Sequence, residues 1–84
     1  MDCQEIRTRI KTSISNVTGI GMTEIRDDSS YVDDLGLDSL SILEIIVDVE
    51  AQFDIDAPEE ELKAIRTIDD TVKLVQQYIL SRVD

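Results

Sequence analysis

Aliphatic side chains recur at helical spacing along this chain of 84 residues, and that spacing restricts how it folds. In the segment 2–17, Ile6, Ile10 and Ile14 lie four residues apart, so they share one face of an amphipathic helix. Gly19 follows this segment, as glycine often follows a helix C-terminus. The sequence therefore predicts a first helix that ends just before Gly19.

A second periodic segment, from about Ser39 to Phe53, predicts a helix with two apolar sides. The core-facing side carries Ile42, Ile45, Ile46, Val49 and Phe53. The opposite side carries Leu40, Leu43, Val47 and Ala51, which cluster around Glu44. Because a small bundle cannot bury both sides completely, apolar residues set among acids indicate an interaction surface. The alternative is that other helices cover both sides.

The C-terminal part of the chain carries signals for two more helices. Pro58 and the glutamates after it predict a short third helix at 59–64. Thr67 and Asp70 resemble a capping box with a shortened acid. They precede the apolar periodicity of a fourth helix, which we expect at about 68–81.

The residues between the first two helices, 18–38, show no sustained period. A loop of that length exceeds the roughly 12–15 residues usual for a structureless connection, so we expect it to be pinned to the core. The expected pins are Ile20, Met22, Ile25, Tyr31, Val32 and Leu35. The prediction is one all-α domain, 1–84: a four-helix bundle with a short third helix and a long loop between helices one and two.

Acidic charge dominates the middle of the chain. The net charge is −11, and no basic residue occurs between Arg26 and Lys63, where 13 of the 19 acidic residues lie. Such a field repels nucleic acid and anionic membranes and attracts basic protein surfaces. No stretch approaches the roughly 20 apolar residues that span a bilayer, and the N-terminus lacks a secretory apolar region. We expect a cytoplasmic protein, with no disulfide because Cys3 is the single cysteine.

Ser39 lies where an acidic loop turns into the second helix, in the stretch D-D-L-G-L-D-S-L of residues 33–40. The chain has no histidine, so a Ser–His arrangement for nucleophilic catalysis is excluded, and no lysine is near Ser39 in sequence. A phosphate ester at the positive end of a helix would be electrostatically favoured. The alternative is that the serine only caps the helix. The aspartates from Asp54 onward lack the spacing of a calcium-binding loop, so no metal site is predicted.

The stretch S-Y-V-D-D-L-G-L-D-S-L resembles the attachment motif of acyl carrier proteins, whose core is D-L-G-x-D-S-L. The likeness extends over nearly the whole chain and includes the helix lengths, the long first loop, Pro58, Thr67 and Tyr78. It implies that Ser39 receives a 4′-phosphopantetheine arm from coenzyme A through a separate transferase. Asp38 would help that transferase and its Mg²⁺ to engage the serine.

The resemblance also implies a carrier that is not an enzyme. Acyl intermediates would be held as thioesters on the arm, and the acyl chain would fold into a cavity between helices two and three. The partners would be the phosphopantetheinyl transferase and acyl-processing enzymes such as acyltransferases and ketosynthases, with basic docking surfaces. The residues matching the family's docking surface are Leu40, Leu43, Glu44, Val47 and Glu50.

Some positions depart from the pattern of fatty-acid carriers. Ser41, Ala51 and Gln52 occupy positions where those carriers usually have acids. The stretches S-L-S-I-L-E and L-K-A-I-R-T-I are closer to polyketide-type carriers. We therefore expect a monomeric carrier of polyketide or related specialised biosynthesis. The alternatives are a carrier of primary fatty-acid synthesis and an acidic helical adaptor that carries nothing.

Overall fold

The structure, a computed structural model, describes residues 2–80. Within this range the regular elements are helices, and the β-structure is confined to an isolated bridge between Ser30 and Thr67. The helices are α1 (Cys3–Thr18), α2 (Ser39–Phe53), α3 (Glu59–Lys63) and α4 (Ile68–Leu80), with a 3₁₀ turn at Met22–Glu24. The predicted all-α architecture with a short third helix is confirmed.

Helix α1 begins and ends at residues with clear capping roles. The Asp2 carboxylate accepts a hydrogen bond from the Glu5 N–H at 2.8 Å, which satisfies one of the free donors of the first turn. Gly19 adopts a left-handed conformation with φ of 80°, and its N–H donates to the Ser15 carbonyl at 2.8 Å. These caps define the helix that packs against both α2 and α4.

The core is aliphatic, as the composition indicates. Ile10 and Ile14 of α1 and Ile45 of α2 belong to one core cluster, and all three side chains are fully excluded from solvent. Aromatic residues enter this core at two places, Tyr31 from the first loop and Phe53 at the end of α2. Burial of these side chains is the main force that holds the helices together.

The long first loop is pinned to the junction between α3 and α4 by backbone hydrogen bonds. The Tyr31 N–H donates to the Arg66 carbonyl, and the Ile68 N–H donates to the Ser29 carbonyl, both at 3.0 Å. The Tyr31 hydroxyl lies 2.5 Å from the Thr71 hydroxyl inside the core. The loop is therefore held in place without a sheet or α-helix of its own.

Two charged contacts tie the same loop to α1. Lys11 pairs with the Asp27 carboxylate, and Arg7 donates to the Asp27 carbonyl at 2.9 Å. Arg7 also pairs with Asp69 at the start of α4, and this hydrogen bond raises the pKa of the guanidinium above its ordinary value. The pairs connect α1, the loop and α4 at one side of the bundle.

Some details differ from the sequence-based expectations. Six residues of the first loop were expected to anchor it in the core. For Met22 and Val32 this prediction is wrong, because their side chains remain 42% and 59% exposed. Helix α3 ends at Lys63 rather than at residue 64. The expected end of α4 at residue 81 lies outside the described residues. Within residues 2–80, no helix combines the length and apolar character that a membrane span requires.

Candidate functional site

Ser39 is the first residue of α2, and its side chain lies at the surface. The preceding loop turns tightly: Gly36 has φ of 66°, a left-handed conformation that favours glycine, and the Leu37 N–H donates to the Tyr31 carbonyl at 2.9 Å. Because Tyr31 is itself anchored in the core, the loop fixes where α2 begins. The serine hydroxyl is thus presented at a defined point on the surface.

Asp38, not Ser39, caps the helix. The Asp38 Oδ1 accepts a hydrogen bond from the Ser41 N–H at 2.9 Å, with extended backbone angles at Asp38. This backbone hydrogen bond is the main reason that the pKa of the Asp38 carboxyl is below its ordinary value. The exposed carboxylate beside Ser39 is therefore ionised at neutral pH. The sequence-based alternative, that Ser39 only caps the helix, loses its support because the capping position belongs to Asp38.

Among residues 2–80, no histidine or lysine is hydrogen-bonded to Ser39 to activate its hydroxyl. Within residues 2–80, the Ser39 side chain makes no hydrogen bond to another residue, and the chain contains no histidine. Lys63 lies near Ser39, where both line one surface groove, but its ammonium group is 3.5 Å from the Glu59 carboxylate. An exposed hydroxyl without a base does not attack a substrate efficiently by itself. It suits modification by another protein that supplies the base.

A groove of about 530 Å³ adjoins Ser39. Its walls come from α2, from α3 and the residues just after α3, and from the first loop. Ser39 therefore lies at the rim of a groove built by segments that are distant in sequence. The volume falls within the roughly 300–1,000 Å³ typical of ligand pockets. The aliphatic lining residues are Val32, Ile42, Leu43, Ile46, Leu62 and Ile65.

The exposed face of α2 begins one residue after Ser39. Leu40, Leu43 and Val47 are 64%, 49% and 55% exposed, so no helix among residues 2–80 covers the second apolar side that the sequence predicts. Glu44 is exposed among them. This combination of apolar and acidic groups can contact a partner through both burial and charge.

Glu50 differs from the other residues of the expected docking surface. It is half-buried, and its carboxylate accepts a hydrogen bond from the Ala57 N–H at 2.9 Å. Glu50 therefore holds the connection between α2 and α3. The sequence could not show this role, because Ala57 lies in an irregular segment whose path depends on the tertiary structure.

The structure also places residues at the groove that the sequence analysis missed. Ser30, Lys63 and Arg66 line it together with Ser39. Arg66 is distant from Ser39 in sequence, and only the bridge between the first loop and the start of α4 brings the two segments together. Within the described part of the chain, no cluster of at least 3 His, Cys, Asp or Glu side chains is arranged to hold a metal ion.

Comparisons with known proteins agree with this geometry. A family model described as "Phosphopantetheine attachment site" matches residues 8–75. The chain is similar to an acyl carrier protein of Clostridium acetobutylicum, 40% identical over 70 residues that cover 83% of this chain and 91% of that protein. It is also similar to the meromycolate extension acyl carrier protein of Mycobacterium tuberculosis, 42% identical over 74 residues. That match covers 88% of this chain and 64% of the mycobacterial protein.

The fold is shared with a solved structure. The solution structure of the apo doublet acyl carrier protein from prodigiosin biosynthesis superposes with a TM-score of 0.78 at 27% identity. The match covers 88% of this chain and 36% of the doublet, so this chain spans about a third of that longer protein. The helical architecture around Ser39 is therefore one found in a known carrier.

Proposed function

The chain belongs to the acyl carrier proteins, the family with a phosphopantetheine attachment site, and on that premise we propose that Ser39 carries the 4′-phosphopantetheine arm. Members of this family are carriers and not enzymes. When bound, the arm supplies the thiol that holds an acyl group as a thioester. The observation that carries the proposal is the position of Ser39: an exposed hydroxyl at the first residue of α2, beside a groove of about 530 Å³.

The local structure suits a phosphate ester at this position. Ser39 lies at the N-terminus of a 15-residue helix, where the aligned peptide dipoles favour negative charge. The neighbouring Asp38 carboxylate is exposed and ionised, so it is available to a Mg²⁺ ion brought by the transferase. We assign Asp38 this role in the modification step, in addition to its role as the helix cap.

The partner enzymes would dock on the exposed face of α2. Leu40, Leu43 and Val47 offer apolar contacts, and Glu44 offers a negative charge to basic partner surfaces. Glu50 would contribute indirectly, because its carboxylate is bound to the Ala57 N–H. The expected partners are a phosphopantetheinyl transferase and acyl-processing enzymes such as acyltransferases or ketosynthases.

The pathway is proposed to be polyketide or related specialised biosynthesis, with the protein acting as a monomer. Support comes from Ser41, Ala51 and Gln52, which replace acids usual on α2 of fatty-acid carriers. The solved relative takes part in prodigiosin biosynthesis, while other relatives are a general and a meromycolate extension acyl carrier protein. Primary fatty-acid synthesis is the alternative pathway.

Intact mass spectrometry tests the attachment. The protein is incubated with coenzyme A, Mg²⁺ and a broad-specificity phosphopantetheinyl transferase, and we expect a gain of one phosphopantetheinyl group. Ser39→Ala should abolish the gain, whereas the matched variant Ser41→Ala on the same turn of α2 should retain it. No gain with several transferases would contradict the proposal and favour the adaptor, which would use the exposed face of α2 only to bind a partner.

A further inference from the structure

The groove beside Ser39 brings basic residues next to acids of the central region. Asp33 and Glu59 line it, but Lys63 and Arg66 line it as well. The two positive and two negative side chains balance in a protein whose net charge is −11. An occupant of the groove therefore meets a different electrostatic environment from a partner that docks on the exposed face of α2.

The two basic side chains differ in their availability. The Lys63 ammonium lies 3.5 Å from the Glu59 carboxylate, one helical turn earlier. The Arg66 guanidinium has no carboxylate within 4.0 Å among residues 2–80, and the residue is exposed. Arg66 thus brings an unpaired cation with a planar set of hydrogen-bond donors to the groove.

The backbone of Arg66 is held firmly although its side chain is not. Its N–H donates to the Asp70 carboxylate at 3.0 Å, and its carbonyl accepts from the Tyr31 N–H at 3.0 Å. Tyr31 is fully buried, so one of these contacts is anchored in the core. The guanidinium therefore extends from a fixed point on the groove wall, although its own side-chain torsions still lose freedom when it binds.

We infer that Arg66 adapts the groove to acyl groups that carry a carboxylate. Aliphatic residues such as Ile42, Ile46 and Leu62 contact the methylene groups of any acyl chain, but they offer nothing to a charged oxygen. A guanidinium binds a carboxylate through two parallel hydrogen bonds, which offsets part of the cost of removing that carboxylate from water. Arg66 is a specificity-determining residue for the cargo in this scheme. The inference rests on the proposed attachment at Ser39.

The test compares two cargoes of equal chain length, hexanoyl and adipyl, each loaded from its coenzyme A thioester by the transferase. Both forms contain the same phosphodiester, so a difference between them isolates the terminal carboxylate. The readout is the ratio of groove-bound to free cargo, measured by NMR from the amide signals of Leu62 and Ile65 relative to the protein with the unacylated arm. Failure to load either cargo would overturn the attachment at Ser39, and the inference with it.

The decisive variant is Arg66→Gln, with Lys73→Gln as the matched control that removes one charge outside the groove. We expect Arg66→Gln to lower the bound-to-free ratio of adipyl about two- to fivefold, as for an exposed ion pair, and to leave hexanoyl unchanged. Lys73→Gln should change neither ratio. If loading succeeds but Arg66→Gln affects both cargoes equally or neither, the inference is wrong and the proposed function stands.

Discussion

The hydroxyl group of Tyr31 gives a sharp test of how the first loop is anchored. Tyr31 is fully buried, and its hydroxyl lies 2.5 Å from the Thr71 hydroxyl. The variant Tyr31→Phe removes this hydrogen bond, while the Thr71 hydroxyl keeps its bond to the Thr67 carbonyl. No buried polar group loses its last partner, so at neutral pH we expect the free energy of unfolding to fall by only about 1 kcal/mol.

The same substitution has the opposite effect in alkaline solution. Burial raises the pKa of Tyr31 from 10.0 to about 12, because the phenolate cannot be solvated in the core. In the unfolded chain Tyr31 loses its proton near pH 10, whereas in the folded protein it keeps the proton until about pH 12. The free energy of unfolding is therefore at its full value below pH 10 and falls as the pH rises from 10 to 12. At about pH 11 the native protein should have lost about 1.4 kcal/mol by this linkage, whereas Tyr31→Phe has no such group to lose.

The two effects cross, so the order of stability should reverse between neutral pH and about pH 11. Urea unfolding followed by circular dichroism measures both free energies, and both proteins share the other alkaline titrations. Thr71→Val is the matched control, since it breaks the same hydrogen bond but leaves the tyrosine to ionise and should keep the alkaline loss. A stability difference between wild type and Tyr31→Phe that is independent of pH would refute the reasoning.

Three further predictions address the helices and the modification step. Ile10→Ala removes a fully buried side chain of α1 and should lower the free energy of unfolding by about 2–5 kcal/mol in urea; a loss well below this range would contradict the observed packing. Gly19→Ala should lower the free energy of thermal unfolding by about 1–2 kcal/mol, because Gly19 has φ of 80°. Gly21→Ala is the control and should be nearly neutral, because Gly21 has φ of −66°. Equal effects of the two substitutions would contradict the capping assignment. Asp38→Asn keeps a good capping side chain but loses the charge. The initial rate of loading by the transferase should therefore fall, while the circular dichroism spectrum stays unchanged. Equal loading rates for the two proteins would show that Asp38 has no role in the modification step.

Local signals were sufficient to predict that four helices form and where α2 begins and ends. The bounds of α2 agree with the expected segment at both ends, because the cap at Asp38 and the apolar period through Phe53 act within the helix itself. The capping box also forms as expected: the Asp70 N–H donates to the Thr67 hydroxyl, and the Thr67 N–H donates to the Asp70 carboxylate, both at 3.1 Å. Such contacts connect residues three apart, so the sequence contains both partners.

The long first loop was predicted less well. Ile25 and Tyr31 are buried as expected, but Met22 and Val32 are not. A loop without a period gives each side chain its own direction, and hydrophobicity alone does not determine that direction. The role of Glu50 as an acceptor for the Ala57 N–H was missed for the same reason.

The candidate site also has residues that the local sequence predicts and residues that only the tertiary structure brings together. Ser39 and Asp38 were predicted as site residues from a contiguous motif, in which a hydroxyl, a helix cap and a helix start are adjacent in the chain. The resemblance implied a cavity between helices two and three, but Arg66 and the wall that the first loop adds were not predicted. Both depend on the bridge that joins Ser30 to Thr67 and on the burial of Tyr31. Sequence periodicity determines which segments are helical and which residues share a face. Only the packed structure decides which distant side chains surround Ser39, since that arrangement depends on the free energy of the whole core.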